Sequence, residues 1–217
     1  GIGVPTSLDD YRALGGYEGL ERALTLSPQA IVDEVKTSGL RGRGGAAFPT
    51  GIKWQTVLDT HSEQKYIVCN ADEGDSGTFA DRLLMEADPF RLVEGMTIAG
   101  LGVGATRGFI YLRSEYPKAR LALESAIKIA EQSGLLGDDI CGSKASFRLE
   151  VRLGAGSYIC GEETSLLNSL EGKRGVVRAK PPLPAIEGLF GQPTVVKYQQ
   201  LLYQRRNKII FQSYLYL

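Results

Sequence analysis

KYIVCNADEGDSG, residues 65–77, decides the fold. Lys65 to Asn70 is a short apolar run of the kind that forms a buried strand, and the polar turn Ala71 to Gly77 follows it directly. Working outward, GFIYL (108–112) repeats the apolar run, and SFRLEVRL (146–153) alternates as a strand with one wetter face. Helical patterns fill the intervals. Glu18 to Ser38 reads as helix, with Ser27-Pro28 as an N-cap and first-turn proline, and with Ile31, Val32 and Val35 on one face. A second helix ends near Asp59. A third opens at Asp88-Pro89 and runs through Leu92, Met96, Ile98 and Leu101. Tyr116 to Glu131 is amphipathic, with Leu121, Ile127 and Ile129 among its apolar positions, and Gly161 to Leu170 is helical. Strands alternating with helices predict an α/β fold, a mainly parallel sheet flanked by helices and preceded by a helical N-terminal segment over residues 1–37. The ligand-binding domain is expected over 38–196.

Composition narrows the function classes. The 217 residues carry 25 Lys plus Arg against 25 Asp plus Glu, so the formal net charge is zero. That balance argues against a broad grip on nucleic acid or an anionic membrane. No apolar run reaches 18 residues, so direct membrane insertion is not expected. Cys69, Cys141 and Cys160 form no C-x-x-C pair, and His61 stands alone in a polar turn. A disulfide framework, a multi-histidine metal site and a four-thiolate cluster within this chain are therefore not expected, and a reducing, cytoplasmic setting is. The charge is unevenly placed: residues 197–217 contain Lys197, Arg205, Arg206 and Lys208 with no acid, glycine or proline, but four tyrosines and four glutamines. This stretch reads as an atypical basic tail, either a basic helix or strand or a foreign end. The chain begins with Gly1 rather than Met, as a piece of a longer chain would.

Glycine, at 27 residues, is the outlier. It gathers in loops beside the predicted elements. SGLRGRGGAAFPTGIKW (38–54) places Gly42, Gly44 and Gly45 just before a helix, where bare backbone N–H groups can converge on an anion. Gly42, Gly44 and Ala47 match G-x-G-x-x-[GA], but a helix precedes the loop where the dinucleotide fingerprint needs a strand. A flexible surface loop is the alternative; Phe48, Lys53 and Trp54 favour a phosphorylated ring compound. In CNADEGDSGTFADR (69–82), Asn70, Asp72, Glu73 and Asp75 suit ribose or ribityl hydroxyls, a divalent metal, or a solvated capped turn. In GAGSYICGEETSLLNSLEGKRG (154–175), Gly161, Glu162 and Glu163 open a helix, as caps or as a cofactor wall together with Tyr158. Cys160 reads as a buried small side chain. KRGVVRAKPPL (173–183) is either a phosphate clamp or a solvated connector.

Taken together, LRGRGGAAFPTGIKW, NADEGDSGTFADR, GAGSYICGEETSLLNSLEGKRG and KPPLP resemble the FMN-binding domain in the family of NADH-oxidising subunits. That family includes the 51 kDa subunit of respiratory complex I and the diaphorase subunits of NAD-reducing hydrogenases and formate dehydrogenases. The resemblance covers residues 30–196. The stretch EGMTIAGLGVGATRGFIYLRSEYP (94–117) is most similar to the beta subunit of soluble NAD-dependent formate dehydrogenase.

The resemblance implies a Rossmann-like domain over 38–196 that binds FMN and NAD(H). FMN is implied to be held by Gly42, Arg43, Gly44, Gly45 and Lys53, by Asn70, Asp72 and Glu73, and by Gly161, Glu162 and Glu163. NAD(H) is implied near Phe48, Asp75, Tyr158, Glu163 and Lys180, with Glu163, Asp75 and Tyr158 the residues placed at the reacting rings. The chemistry implied is hydride transfer between the nicotinamide and the flavin, then single-electron steps to iron–sulfur partners. A small thioredoxin-like iron–sulfur subunit and a large catalytic subunit are the implied partners. Two departures stand out: Leu183 replaces a phenylalanine, and Lys197 and Tyr198 replace two asparagines that help bind the FMN phosphate. The resemblance is expected to end there, without the ubiquitin-like domain and the iron–sulfur domain that ligates a cluster in full-length members. The alternative readings are the flavin-binding component of complex I or of an NAD-reducing hydrogenase, or a truncated fragment without turnover.

Overall fold

The structure, a computed structural model, describes residues 7–42 and 47–198. Three helices open it: α1 (Leu8–Ala13), α2 (Glu18–Leu24) and α3 (Pro28–Thr37). The helix expected over 18–38 is thus two helices. Ser27 accepts the Ala30 N–H as the N-cap of α3, and Pro28 at the first position has no N–H with which to continue α2. After the glycine-rich loop come α4 (Thr50–Asp59), β1 (Tyr66–Ala71), α5 (Ala80–Ala87), α6 (Pro89–Val103), β2 (Arg107–Leu112), α7 (Pro117–Gln132), β3 (Arg148–Leu153), α8 (Glu163–Leu170) and β4 (Thr194–Tyr198).

The four strands form one parallel sheet in the order β3-β2-β1-β4. Tyr66 pairs in register with Arg107 on one side and Thr194 on the other. All six residues of β1 are buried, as a central parallel strand requires. Its side chains alternate between two cores. Ile67, Cys69 and Ala71 join the large core with Ile31, Trp54, Phe90, Met96 and Leu123, beneath α3, α4, α6 and α7. Tyr66 and Val68 join a smaller core with Phe109, Tyr111, Leu166, Leu167 and Val196, beneath α8. Helices therefore cover both faces, the α/β architecture expected from the sequence.

β4 lies outside the sequence expectation. The apolar stretch TVV runs into Lys197 across the composition change at 196/197, and the strand continues through both sides of it. Lys197 pairs with Cys69 of β1 and is buried, so it belongs to the sheet. The order of strands has a functional consequence. From β1 the chain steps outward to β2 and β3, then returns to the opposite side of β1 as β4. The sheet's topological switch point is therefore between β1 and β4, and such points open crevices at the carboxyl ends of strands.

Two features fix the framework around that point. The carboxylate of Glu94 on α6, only 2% exposed, accepts from the Tyr11 hydroxyl at 2.5 Å and from the N–H groups of Tyr17 and Leu20 at 3.0 Å each, tying α1 and α2 to α6. Gly102 on α6 lets Trp54 of α4 pack closely: a Cβ there would sit 3.1 Å from the Trp54 ring and 3.0 Å from Ile31. Among the described residues, no helix is long and apolar enough to cross a membrane.

Candidate functional site

A cavity of about 360 Å³ opens at the switch point, within the about 300–1,000 Å³ usual for small-molecule sites. Four segments build it. The first is the neck of the glycine-rich loop, where Gly42 N–H donates to the Phe48 carbonyl at 2.8 Å and Thr50 N–H to the Leu40 carbonyl at 2.9 Å. These bonds bring Gly42, Ala47 and Phe48 to the cavity wall directly before Thr50, Lys53 and Thr56 of α4. The second is the start of α8, with Glu162 and Glu163. The third is the proline-rich loop, with Lys180, Leu183, Pro184 and Ala185. The fourth is the end of β4, with Val196 and Lys197.

Charge is organised across the cavity. Glu162 caps α8: its Oε2 accepts from the Thr164 and Ser165 N–H groups at 2.9 Å each and from the Thr164 hydroxyl at 2.5 Å. Its other oxygen accepts from Lys180 Nζ at 3.2 Å. Lys180 also reaches Glu163 at 2.8 Å, and Lys53 reaches Glu163 at 3.4 Å and the Val196 carbonyl at 3.3 Å. Burial pushes the Glu163 carboxyl up, but Lys53 and Lys180 outweigh it and hold the group below the ordinary carboxylate range. Glu162 is held below that range too, since its cap bonds and Lys180 outweigh its desolvation. Desolvation lowers Lys180, but its two carboxylate partners more than reverse the shift and keep it a firm cation.

Lys197 is different. It is 4% exposed, and its Nζ, 4.0 Å from the centre of the Trp54 ring, has no hydrogen-bond partner among the described residues. Burial, with the Lys53 charge adding to it, pushes its pKa well below the ordinary lysine value. The sequence reading places Lys197 in the basic tail, and the structure corrects this. A signal exists: TVVK (194–197) is an apolar run ending in a polar residue, as KYIVCN is. Thr50 and Thr56 also escape sequence reasoning, because they look like ordinary helix positions.

Six residues expected at the site meet in this cavity: Gly42, Phe48, Lys53, Glu162, Glu163 and Lys180, with Leu183 beside them. Arg43, Gly44 and Gly45 lie outside the described residues. The second glycine cluster does not line the cavity. Asn70, 2% exposed at the end of β1, donates to the Gly161 carbonyl at 2.8 Å and so ties the 69–82 and 154–175 clusters together. Asp72 stands partly buried; burial raises its carboxyl against the opposing pull of Arg113. Glu73 accepts from the N–H groups of Asp81 and Arg82 at 3.1 and 3.2 Å and from the Tyr116 hydroxyl at 3.1 Å, which makes it the cap of α5. Asp75 accepts from the Tyr158 hydroxyl at 2.6 Å, and this bond raises the phenol's pKa. Tyr158 itself is 71% exposed and packs across Gly74, where a Cβ would meet the ring at 3.0 Å. Cys160 is buried and His61 exposed. In the basic loop, Arg178 is spent on Glu171, Asn168 and the Gly188 carbonyl, which leaves Lys180 as the loop's lysine at the cavity.

A switch-point cavity with a glycine-loop neck, lysines and an aromatic wall is the setting for a nucleotide cofactor. Residues 35–210 match the model of the Nuo51 FMN-binding domain. The chain belongs to that family. The matched residues run past Val196, where the sequence reading ends the resemblance. The chain is 55% identical over 192 residues to the NADP-reducing hydrogenase component HndC of Solidesulfovibrio fructosivorans, covering 88% of this chain and 39% of that one. It is 52% identical over 200 residues to a component of the NADH-quinone oxidoreductase of Escherichia coli (strain K12), covering 91% and 45%. Among solved structures it is similar to a chain of an NAD+-reducing [NiFe]-hydrogenase in the H2-reduced state, with a TM-score of 0.76 and 40% identity, covering 86% of this chain and 31% of that one. The chain thus spans less than half the length of these relatives.

Proposed function

We propose that this chain is the flavin module of an NAD(H) oxidoreductase, with FMN in the switch-point cavity and NAD(H) at its mouth. The observation that carries the reading is the convergence of Gly42, Phe48, Lys53, Glu162, Glu163 and Lys180 on one cavity from segments far apart in sequence. The residues fit the group. Phe48 and Leu183 offer apolar surface to a ring, and the buried, unpartnered amine of Lys197 suits an anion.

Within this reading, Lys53 is the phosphate's cation. Asn70, bonded to the Gly161 carbonyl and to the Asp72 N–H, and Glu73, the cap of α5, fix the loop after β1 beside the start of α8, and Asp72 is the carboxylate left there for ribityl hydroxyls. Glu162 and Glu163, kept ionised by their lysines, place negative charge beside the ring and oppose further negative charge there. Phe48, Lys180 and the Asp75–Tyr158 pair are the contacts for NAD(H), with Glu163, Asp75 and Tyr158 nearest the reacting rings. FMN, when bound, supplies hydride exchange with nicotinamide and single-electron exchange with iron–sulfur centres. The chain's own work is to bind, orient and exclude water, and no side chain is needed as a proton shuttle.

The electrons would pass to iron–sulfur partners, a small thioredoxin-like subunit and a large catalytic subunit, in a cytoplasmic complex. Relatives named as hydrogenase and quinone-oxidoreductase components favour a parent complex of those kinds over formate dehydrogenase. The stretch that suggests formate dehydrogenase, 94–117, is mostly the buried interior of α6 and β2, where packing rather than partner choice sets the residues.

The test is reconstitution. Chain incubated with FMN and freed of excess should be yellow and should bleach anaerobically with NADH. A folded chain that stays colourless overturns the reading.

A further inference from the structure

We infer that Lys197 is a phosphoryl-binding residue of the cavity, its amine taking the oxyanion of the flavin nucleotide alongside Lys53. The inference rests on the reading of the cavity as a flavin site and adds a residue to it. Three observations carry it. Lys197 lines the cavity from the end of β4, at the switch point. Its amine is buried, sits over the Trp54 ring, and has no hydrogen-bond partner among the described residues. A buried ammonium without partners is costly, whereas one facing a bound oxyanion forms a short, charge-assisted contact.

Charge balance supplies the third. The other charged side chains of the described cavity wall are Lys53 from α4, Lys180 from the proline-rich loop, and Glu162 and Glu163 at the start of α8. Two cations face two anions, and Lys180 bridges both glutamates while Lys53 holds Glu163. These four cancel. A phosphate dianion entering the cavity needs further positive charge, and Lys197 is the described wall residue whose charge is not already committed. On the β1 side its register partner is the buried thiol of Cys69, whose pKa burial raises, with the Asp81 carboxylate adding to the shift. Burial holds the Lys197 pKa below the ordinary lysine value in the free protein, and a bound dianion would raise it again, so any proton gained on binding comes from solvent. The proton goes from water to Nζ, and no covalent bond to the ligand is made.

The experiment compares FMN, riboflavin and NAD+ on the 217-residue chain and its Lys197→Met variant. Methionine keeps most of the apolar stem and removes the amine, and thermal unfolding of both proteins confirms the fold. Expected is a loss of FMN affinity of about 10- to 100-fold in the variant, with riboflavin affinity unchanged. Calorimetry from about pH 8 to 10 in two buffers of different ionisation enthalpy gives a second readout, because a phosphate monoester, with a second pKa of about 6, is already dianionic there. Within that range the unsubstituted chain should take up more protons on binding FMN than on binding riboflavin, and more than the Lys197→Met variant takes up with FMN. An unchanged ratio of FMN to riboflavin affinity in the variant, or proton uptake no greater than the variant's across that range, overturns the assignment of Lys197 and leaves the flavin reading intact. Weakened NAD+ binding with unchanged FMN binding also overturns it. Failure of the unsubstituted chain to bind either flavin overturns both.

Discussion

Replacing Lys53 by methionine separates the binding role of this lysine from any structural one. In the free protein its ammonium makes two long contacts, 3.4 Å to Glu163 and 3.3 Å to the Val196 carbonyl, with 30% of the side chain exposed. Ion pairs of this exposure contribute about 0–1 kcal/mol, so Lys53→Met should change stability by about that much. Glu163 keeps Lys180 at 2.8 Å and is not orphaned. In the complex the balance is different. A charge-assisted hydrogen bond to phosphate is worth about 1.5–3 kcal/mol, or about 10- to 150-fold in affinity. Part of the loss is indirect, because a Glu163 carboxylate balanced by one lysine instead of two repels the anion more strongly. Quenching of flavin fluorescence on titration measures the constant, and riboflavin, which lacks the phosphate, should bind both proteins alike. FMN affinity unchanged in a variant with unchanged melting would refute the reasoning. So would an equal loss for riboflavin.

Other perturbations read the framework. Glu94→Gln leaves one acceptor oxygen where the carboxylate served the Tyr11 hydroxyl and the Tyr17 and Leu20 N–H groups; denaturant unfolding should show a loss of about 2–4 kcal/mol, since each buried donor left unpaired costs about 1–3 kcal/mol. Gly102→Ala forces a Cβ against Trp54 and Ile31 and should cost about 1–3 kcal/mol by overpacking, detectable as a lower melting temperature. The pH dependence of stability has two limbs. Burial depresses Lys197 and Lys65 in the fold, so the unfolded chain binds more protons and stability should rise with pH from their depressed values toward 10.5, less steeply in Lys197→Met. Glu162, Glu163 and Glu171 are depressed carboxylates, whose contribution is present above about 4.5 and lost as pH falls through their folded values, as acid titration of unfolding should show.

What is legible in the sequence is what local pattern encodes. β1 and β2 are continuous apolar runs because a central parallel strand is buried on both faces, and α7 announces itself through its amphipathic spacing. α5 escapes because nothing at its own start caps it: Phe79 precedes it, and its cap is Glu73, brought in by the turn of the loop. β4 escapes because so short a run is a weak strand signal and a lysine beside a basic tail looks solvated. Burial of Lys197 follows from pairing with β1, a strand far away along the chain. The site divides in the same way. The residue types at Lys53, Glu162, Glu163 and Lys180 signal a phosphate and hydroxyl chemistry, but their meeting depends on the crossover that returns the chain to β1. Asn70 and Glu73 look like ligands in sequence, and in the fold they tie loops together through Gly161 and α5.

The glycine-loop neck, α4, the start of α8, the proline-rich loop and the end of β4 wall a single cavity, and the proposed flavin reading depends on that unity. Hydrogen–deuterium exchange of the chain with and without FMN tests it most directly. Slowed exchange is predicted together in 47–56, 161–166, 180–185 and 194–197. Slowing confined to other loops such as 71–77, or none at saturating FMN, would contradict it.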